Sequence, residues 1–274
     1  AYTAPDINNP NLRSICLTND NRIIYTEALS NRIRVGRYTT TQFIELPDVP
    51  NPSWLQEYRP VGLASSSDDS RLVVTFSGST VTSRSYAIYA YDGSNYSLIA
   101  SDDPVSPALV DSGQCAFSHD DQWVYVATRG VGGHPPYELK VFRYEDGGLK
   151  RVWTQTRPTS NWSYAPPALT PDNKTIIYAG WLYRAGVPYM AHSYRFLRGT
   201  TLGANEINDG FSPEGDIVHV TYPGGLYGTH LLTSDMVVPL QRLPFEDDHR
   251  AQDVREVLYS PQGTFVLWKN PDGL

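Results

Sequence analysis

The stretch FSPEGDIVHVTY, residues 211–222, decides the fold, because versions of it occur six times along the chain. Each version has an apolar residue, a Ser or Thr, a short turn rich in Asp, Asn, Gly or Pro, and then a β-branched and aromatic run. Turn residues followed by such a run predict two strands joined by a tight turn. The six copies lie near residues 17–27, 64–76, 117–128, 169–180, 211–222 and 259–270.

The spacing of the copies predicts a propeller. Their hydroxyl residues follow one another at intervals of 42 to 52 residues and are Thr18, Ser66, Ser118, Thr170, Ser212 and Ser260. A period of about 40–50 residues is typical of propeller blades, whereas a sandwich has no reason to repeat one turn motif. Further apolar runs after most copies supply a third and a fourth strand. The prediction is an all-β fold, a single β-propeller domain of about six four-stranded blades over residues 1–274.

The sixth copy leaves open how the ring of blades closes, because the chain reaches Leu274 after only two strands of the sixth blade. Three alternatives follow: the last blade is reduced, residues 1–11 supply a strand to it, or the native polypeptide continues beyond Leu274. An exposed strand edge invites aggregation, which favours some form of closure.

The turns FSPEG, residues 211–215, and YSPQG, residues 259–263, resemble the F-S-P-D-G turn of YVTN-type, TolB-type and lactonase-type propeller repeats. LTNDN, residues 17–21, is a degenerate copy of the same turn. The resemblance covers most of the chain and implies the propeller scaffold without selecting a narrower family. It says little about activity, because function lives in sites grafted onto folds.

Composition restricts the partners. A net charge of -7 and a pI near 5.3 oppose the basic surface that nucleic-acid binding requires. No apolar run is long enough to predict insertion into a membrane. Cys16 and Cys115 are predicted to be unpaired, because they fall on innermost strands of nonadjacent repeats, beyond the roughly 7 Å that a disulfide spans.

One face of the predicted propeller carries the long connections. With the strands of a blade lettered A to D outward, the D–A and B–C connections share a face. The predicted D–A connections are residues 48–60, 101–112, 154–167 and 241–254, and the predicted B–C connections are residues 77–85, 129–136, 180–188 and 222–228. Long loops on a rigid scaffold tend to hold binding residues, which makes this the predicted functional face.

Five side chains of that face are candidate ligand contacts: Trp162, Tyr164, Trp181, Tyr183 and His134. Aromatic rings with polar tips are enriched at interfaces. The alternative is that the rings fill gaps between blades and that His134 is a solvent-exposed loop histidine.

The leading functional hypothesis is a non-catalytic binding or structural module that engages a protein or a glycan. The catalytic motifs of hydrolases, metalloproteases and nucleotide-binding enzymes do not occur in the sequence. The pairs Asp68–Asp69 and Asp120–Asp121 lie in repeat turns, where local backbone hydrogen bonding explains them. This hypothesis needs no cofactor, and it favours an extracellular, cell-surface or virion setting, as part of a larger assembly.

The competing hypothesis is an enzyme. Resemblance to lactonase-type propellers implies a calcium ion held by Glu, Asn and Asp oxygens at the mouth of a central channel, and hard oxygen ligands suit calcium. The candidate ligands are Asn208, Asp209 and Glu256, just before the fifth and sixth turns. Aligned positions in other repeats carry Gln114, Pro166 and Ser14, which do not extend this ligand set.

Overall fold

A computed structural model describes most of the chain as β-strands with the short turns between them. The described residues are 12–27, 31–39, 42–53, 59–77, 86–101, 112–128, 138–145, 148–156, 167–173, 175–178, 181–185, 190–195, 209–211, 217–222, 226–232, 237–244, 254–259 and 265–269. Within these ranges the regular secondary structure is entirely β, which confirms the all-β prediction. No helix in the described part is long and apolar enough to cross a membrane.

In the described part of the chain, twenty-two strands form five four-stranded sheets and one two-stranded sheet, and every strand pair is antiparallel. Within each sheet the strands are ordered as in the chain. The strands are Leu12–Leu17 (β1), Arg22–Glu27 (β2), Ile33–Tyr38 (β3), Phe43–Val49 (β4), Arg59–Ser65 (β5), Arg71–Ser77 (β6), Tyr86–Tyr91 (β7), Tyr96–Ser101 (β8), Ser112–Phe117 (β9), Trp123–Thr128 (β10), Glu138–Glu145 (β11), Gly148–Thr156 (β12), Ala168–Leu169 (β13), Thr175–Tyr178 (β14), Trp181–Ala185 (β15), Met190–Arg195 (β16), Asp209–Phe211 (β17), Ile217–Tyr222 (β18), Leu226–Leu232 (β19), Val237–Pro244 (β20), Val254–Tyr259 (β21) and Phe265–Lys269 (β22).

The chain folds into two compact units. Unit 1 comprises Ala1–Pro158 with Pro271–Gly273, and unit 2 comprises Thr159–Asn270 with Leu274. In unit 1 the first strand of each sheet lies against the first strand of the next, β1 against β5 and β5 against β9. In unit 2, β13 lies against β17 and β17 against β21. Each unit therefore has the propeller-like arrangement, with first strands innermost and sheets following in chain order.

The core of unit 1 lies between its sheets. Ile24 and Val35 of the first sheet pack with Leu72 and Val74 of the second in one buried cluster. Val73, on the other face of the second sheet, joins a cluster with the third sheet. Successive strand residues point to opposite faces, so a sheet covered on both sides needs a continuous apolar run, and the β6 sequence RLVVTFS provides one.

The turn between the first two strands of a sheet is held by its hydroxyl residue. Ser66 Oγ donates to Asp68 Oδ1 at 2.6 Å and accepts from the Arg71 amide at 2.9 Å. The Asp69 amide donates to the Ser66 carbonyl at 3.0 Å. Thr18 and Ser118 make the equivalent bonds in their turns. A Ser or Thr at this place therefore satisfies turn groups that would otherwise need water.

The residue that closes each of these three turns, and the equivalent residue of the Thr170 turn in the fourth repeat, has left-handed backbone geometry. The φ values are 64° at Asn21, 58° at Asp69, 57° at Asp121 and 59° at Asn173. Asn and Asp tolerate this region better than other residues with a Cβ, which explains their recurrence there.

Two of these closing residues also bind the preceding turn. The Asp69 carboxylate accepts from the Asn19 amide at 2.7 Å, and Asp121 Oδ1 accepts from the Ser67 amide at 2.7 Å. Ser67 Oγ adds a bond of 2.6 Å to Asp121 Oδ2. We call these contacts the turn clamp. It joins the three turns of unit 1 in sequence and fixes each sheet against the next.

The structure tests the predictions for the cysteines and for one strand of the fourth repeat. Neither Cys16 nor Cys115 forms a disulfide bond, as predicted. The apolar and aromatic run YMAHSYRF, residues 189–196, predicts the third strand of the fourth repeat, and this prediction is wrong: the third strand is β15, and residues 190–195 form the fourth. Residues 54–58, for which the sequence WLQEY allows a short turn of helix, and residues 1–11, one of the alternatives for closing the last blade, lie outside the described residues.

Replacing Asp121 with alanine tests the turn clamp. The change removes two short hydrogen bonds to Ser67 and puts alanine into left-handed geometry, so we expect a loss of about 2–3 kcal/mol in the free energy of unfolding. Asp121→Asn is the matched control, because asparagine tolerates this geometry and keeps one acceptor oxygen. It should cost about half as much. Urea unfolding followed by tryptophan fluorescence measures both, and equal losses would contradict a hydrogen-bonding role.

Candidate functional site

The starts of the innermost strands share one structural feature. In β1, β5, β9 and β21 the register shifts by one residue near the start of the strand. In β1, β5 and β21 the unopposed residue is Arg13, Val61 and Arg255. A β-bulge re-aims the side chain beside it and is common next to functional sites.

The position beside each bulge lies four residues before the turn hydroxyl, and we call it the inner position. Its occupants in the six repeats are Ser14, Gly62, Gln114, Pro166, Asn208 and Glu256. Because four of these positions have a bulge at or beside them, the inner position is the best candidate for a site built into the scaffold.

In unit 1 two inner positions meet. Ser14 Oγ donates to Gln114 Oε1 at 2.9 Å, although β5 lies between their strands, and both side chains are buried. A Cβ on Gly62 would lie 2.5 Å from Thr75 Oγ1 and 2.7 Å from the Gly113 carbonyl oxygen. Thr75 Oγ1 donates to that carbonyl at 2.6 Å. Glycine at position 62 therefore permits the close approach of the second and third sheets.

One polar atom beside this contact lacks a partner. Thr26 pairs with Ser14 across β1 and β2 and is fully buried, and its Oγ1 has no hydrogen-bond partner within the described part of the chain. The inner positions of unit 1 thus offer hydroxyl and amide groups but no carboxylate. Neutral groups of this kind suit hydrogen bonding and do not supply the charge that a calcium site uses.

The predicted metal ligands fall in unit 2. Asp209 is the first residue of β17, and Glu256 is the third residue of β21, which lies against β17. Asn208 lies outside the described residues. Among the residues with a described position, no group of three or more His, Cys, Asp or Glu side chains is placed to hold a metal ion. The calcium hypothesis stays a prediction.

The predicted aromatic contacts divide into two groups. Trp162, Tyr164 and His134 lie outside the described residues. Trp181 and Tyr183 lie on β15, where Trp181 pairs with Tyr178 and Tyr183 with Ile176. The prediction that residues 180–188 form a B–C connection is therefore wrong, because only residues 179–180 join β14 to β15. Whether these rings contact a ligand stays a prediction.

A second expected B–C connection is also shorter than predicted. Residues 223–225 join β18 to β19, whereas a connection over residues 222–228 was expected. By contrast, residues 78–85 and 129–137 join β6 to β7 and β10 to β11, close to the predicted bounds. The D–A connections are residues 50–58, 102–111, 157–167, 196–208 and 245–253, which keeps all of them long.

The paired aspartates of the repeat turns have structural partners, as expected. Hydrogen bonds from Ser66 and Ser70 lower the pKa of Asp68 to about 2. Burial raises the pKa of Asp69, although the Asn19 amide donates to it. Hydrogen bonding and burial in the scaffold therefore shift the pKa values of the two carboxyl groups in opposite directions, and no catalytic role is needed to explain the pair.

The sequence did not predict the role of Arg22, a buried charged residue with several side-chain partners. Its side chain is 1% exposed, and its Cζ atom lies 3.5 Å from the centroid of the Tyr91 ring on the second sheet. It also donates to the Tyr96 hydroxyl and, at 2.7 Å, to Asp20. Arg71 lies in the same way over Tyr144 of the third sheet, at 4.6 Å. The sequence does contain a signal for this contact: an Arg directly after two of the turns, and a Tyr near the end of the third strand of the next repeat.

This arginine contact explains the acidity of Asp20. Burial raises the pKa of Asp20, but hydrogen bonds from Thr18 and Arg22 and the charges of Arg22 and Arg37 outweigh it and leave the pKa lowered. A buried arginine that contacts a tyrosine ring and a carboxylate has its charge and its hydrogen-bond donors satisfied. We therefore interpret Arg22 as a residue that holds two neighbouring sheets together and not as a ligand-binding residue.

Comparison with known proteins supports the fold alone. No known protein family and no curated protein matches the sequence. A solved structure of a protein from Lactobacillus plantarum is similar with a TM-score of 0.64 and 11% identity, covering 96% of this chain and 86% of that one. A functionally unknown protein from Desulfotomaculum acetoxidans DSM 771 is similar with a TM-score of 0.58 and 15% identity, covering 93% of this chain and 71% of that one.

Substituting Gly62 tests the close approach at the inner positions. Gly62→Ala forces a Cβ against Gly113 and Gln114 backbone atoms, and we expect it to cost about 1–3 kcal/mol of unfolding free energy. Gly148→Ala is the matched control, because the nearest atom to its Cβ would be 3.9 Å away. Thermal unfolding measured by circular dichroism compares the two. Equal stability of both variants would show that the sheets separate there at no cost.

The acidity of Asp68 predicts a pH dependence. A carboxyl whose folded pKa is lowered to about 2 stabilises the fold above its ordinary value of 3.8, and this contribution is lost as the pH falls from about 4 towards 2. Asp68→Asn keeps an acceptor oxygen but cannot titrate. We expect the wild type to unfold at a higher temperature than this variant at pH 5, and the difference to shrink towards pH 2. A difference that is constant with pH would contradict the assignment.

Proposed function

We propose that the chain is a non-catalytic β-propeller module of about six blades that binds a protein or a glycan. The proposed binding face is the end of the sheets where the innermost strands begin, which carries the D–A and B–C connections. The supporting observation is the unequal length of connections at the two ends of each sheet. At the other end, the A–B and C–D turns span no more than five residues.

The length difference has a physical meaning. Short turns in unit 1 are committed to the turn clamp, so their polar groups serve the scaffold. The D–A connections span nine residues or more between strand ends, as residues 50–58 and 196–208 illustrate. Long connections on a rigid scaffold are where proteins place recognition residues, because sequence can vary there without loss of the core.

The sequence of these connections suits the proposal. Trp54 and Tyr58 lie in one D–A connection and Trp162 and Tyr164 in another, and His134 lies in a B–C connection. Tyr and Trp provide large apolar contact area with a hydrogen-bonding group, which serves protein interfaces and the apolar faces of sugars. Trp181 and Tyr183 are less suited to the role, because their backbone is paired within a sheet.

A calcium-dependent lactonase-like hydrolase is the second candidate. Asp209 and Glu256 support it by their placement near the starts of adjacent innermost strands. The inner positions of unit 1 argue against it, because Ser14 and Gln114 are neutral and bonded to each other and Gly62 has no side chain. The non-catalytic module is therefore the better supported proposal.

Replacing Trp162 and Tyr164 tests the proposed face. The partner is first sought by a glycan array and by co-purification with the wild-type chain, and the affinity is then measured for each variant. If a central ring anchors the partner, Trp162→Ala should weaken binding by about 2 kcal/mol or more with little change in thermal stability. Ile44→Ala, an exposed apolar residue of an outer strand, is the control and should bind normally.

Two outcomes would overturn the proposal. Unchanged binding together with a large loss of stability would assign Trp162 to packing between blades. Calcium-dependent stabilisation that disappears in Asp209→Asn and Glu256→Gln, with hydrolysis of lactones, would favour the enzyme. Thermal unfolding with and without added calcium distinguishes these cases.

A further inference from the structure

In the part of the chain whose side-chain exposure is described, exposed large hydrophobic side chains occur on two outer strands. The large hydrophobic side chains exposed there are Ile44 at 38%, Leu98 at 43% and Ile99 at 45%. Leu98 and Ile99 are consecutive residues of β8, whereas Ile44 lies on a separate strand, β4, which contacts β8. A single exposed apolar residue such as Ile44 is ordinary, but two in succession on a sheet edge indicate an interaction surface.

The edge of β8 lacks the usual protection of an outer strand. Charged residues and prolines on an edge strand discourage pairing with another chain. The other outermost strands carry such residues: Glu45, Pro47 and Asp48 on β4, Lys150 and Arg151 on β12, Arg195 on β16, and Pro239, Arg242 and Pro244 on β20. The β8 sequence YSLIAS contains neither.

A bulge does not replace that protection. Every outermost strand of a four-stranded sheet has a register shift against its neighbour, and in β8 the unopposed residue is Ile99. Because the bulge is common to all five strands, it does not account for the missing charges of β8. Ser97, Leu98 and Ile99 form an exposed run along this edge.

We propose that β8 is a self-association edge, where β8 of one copy pairs antiparallel with β8 of a second copy about a two-fold axis between Leu98 and Ile99. A two-fold interface uses the same patch on both copies and so requires a self-complementary strand. In this pairing Leu98 faces the second copy's Ile99 and Ser97 faces its Ala100. No charge opposes a charge, although the chain has a net charge of -7.

The inner side of β8 prepares the edge for pairing. Tyr96, at the start of the strand, is buried and accepts a hydrogen bond from Arg22 of the neighbouring sheet. Backbone pairing with β7 runs from Tyr96 to Ser101. The strand is therefore held in an extended conformation before a second copy arrives, which lowers the entropy cost of association. A six-residue edge buries less than the roughly 1,200 Å² of a standard interface, so the dimer should be weak and dependent on concentration.

Sedimentation equilibrium over a range of protein concentrations tests the proposal. The wild type should approach twice its 30.6 kDa mass at high concentration. Leu98→Lys should raise the dimer dissociation constant at least tenfold, because it places a lysine and its symmetry mate beside one another. Ile44→Lys is the matched control: it makes the same change at similar exposure on β4 and should leave the dissociation constant unchanged. Circular dichroism confirms that both variants fold.

Cysteine cross-linking tests the register separately. The double variant Ser97→Cys/Ala100→Cys sets two pairs of thiols opposite one another and should form a disulfide-linked dimer under mild oxidation. Ser97→Cys alone should not, because residue 97 faces residue 100 in this register. Monomeric wild type at every concentration, or a dimer weakened equally by Ile44→Lys, would overturn the proposal. Equal cross-linking of the single and double variants would do the same.

Discussion

The hydrogen bond from the amide of one turn to the carboxylate of the next is the constraint on which unit 1 depends. Apolar packing between sheets is non-directional, so by itself it leaves one sheet free to rotate or slide against another. The bonds from Asn19 to Asp69 and from Ser67 to Asp121 are short and charge-assisted, and they fix one end of each sheet. The buried clusters then pack in a single register, because their strands start from aligned turns.

A second set of contacts between sheets is made by residues that directly follow the turns in sequence. Arg22 and Arg71 follow their turns and lie over Tyr91 and Tyr144 of the next sheet, so the same contact recurs at two successive sheet boundaries. In the third repeat Trp123 occupies the corresponding place. Burying a guanidinium is costly unless its donors are satisfied, and Arg22 is placed where Asp20 and a tyrosine hydroxyl satisfy them. The contact that Arg22 makes with the next sheet therefore depends on the geometry of the turn that precedes it in sequence.

Local chemistry in the sequence predicted the turns and the strand count of unit 1, because hydroxyl, Asp and Asn residues act on their own backbone. It could not show that Asp69 and Asp121 bind the preceding turn, since that contact depends on sheets some 50 residues apart. The predicted connection in the fourth repeat is wrong for a different reason. Gly180 and Pro188 delimit a plausible loop, yet β15 occupies residues 181–185 between them. Bulges at the inner positions carry no compositional signal at all.

The two ends of the sheets therefore face different demands. At the turn end, Asp68 is bonded within its turn and Asp69 to the preceding one, so acidic residues there leave few free acceptors for a partner. The opposite end has the Ser14–Gln114 contact at its inner edge and long connections beyond it. A binding surface whose residues can vary without destabilising the sheets must use groups outside the turn clamp. The long connections and the uncharged outer edge of β8 meet this condition. Since the proposed binding face and the proposed self-association edge share no residues, the two proposals are compatible with each other.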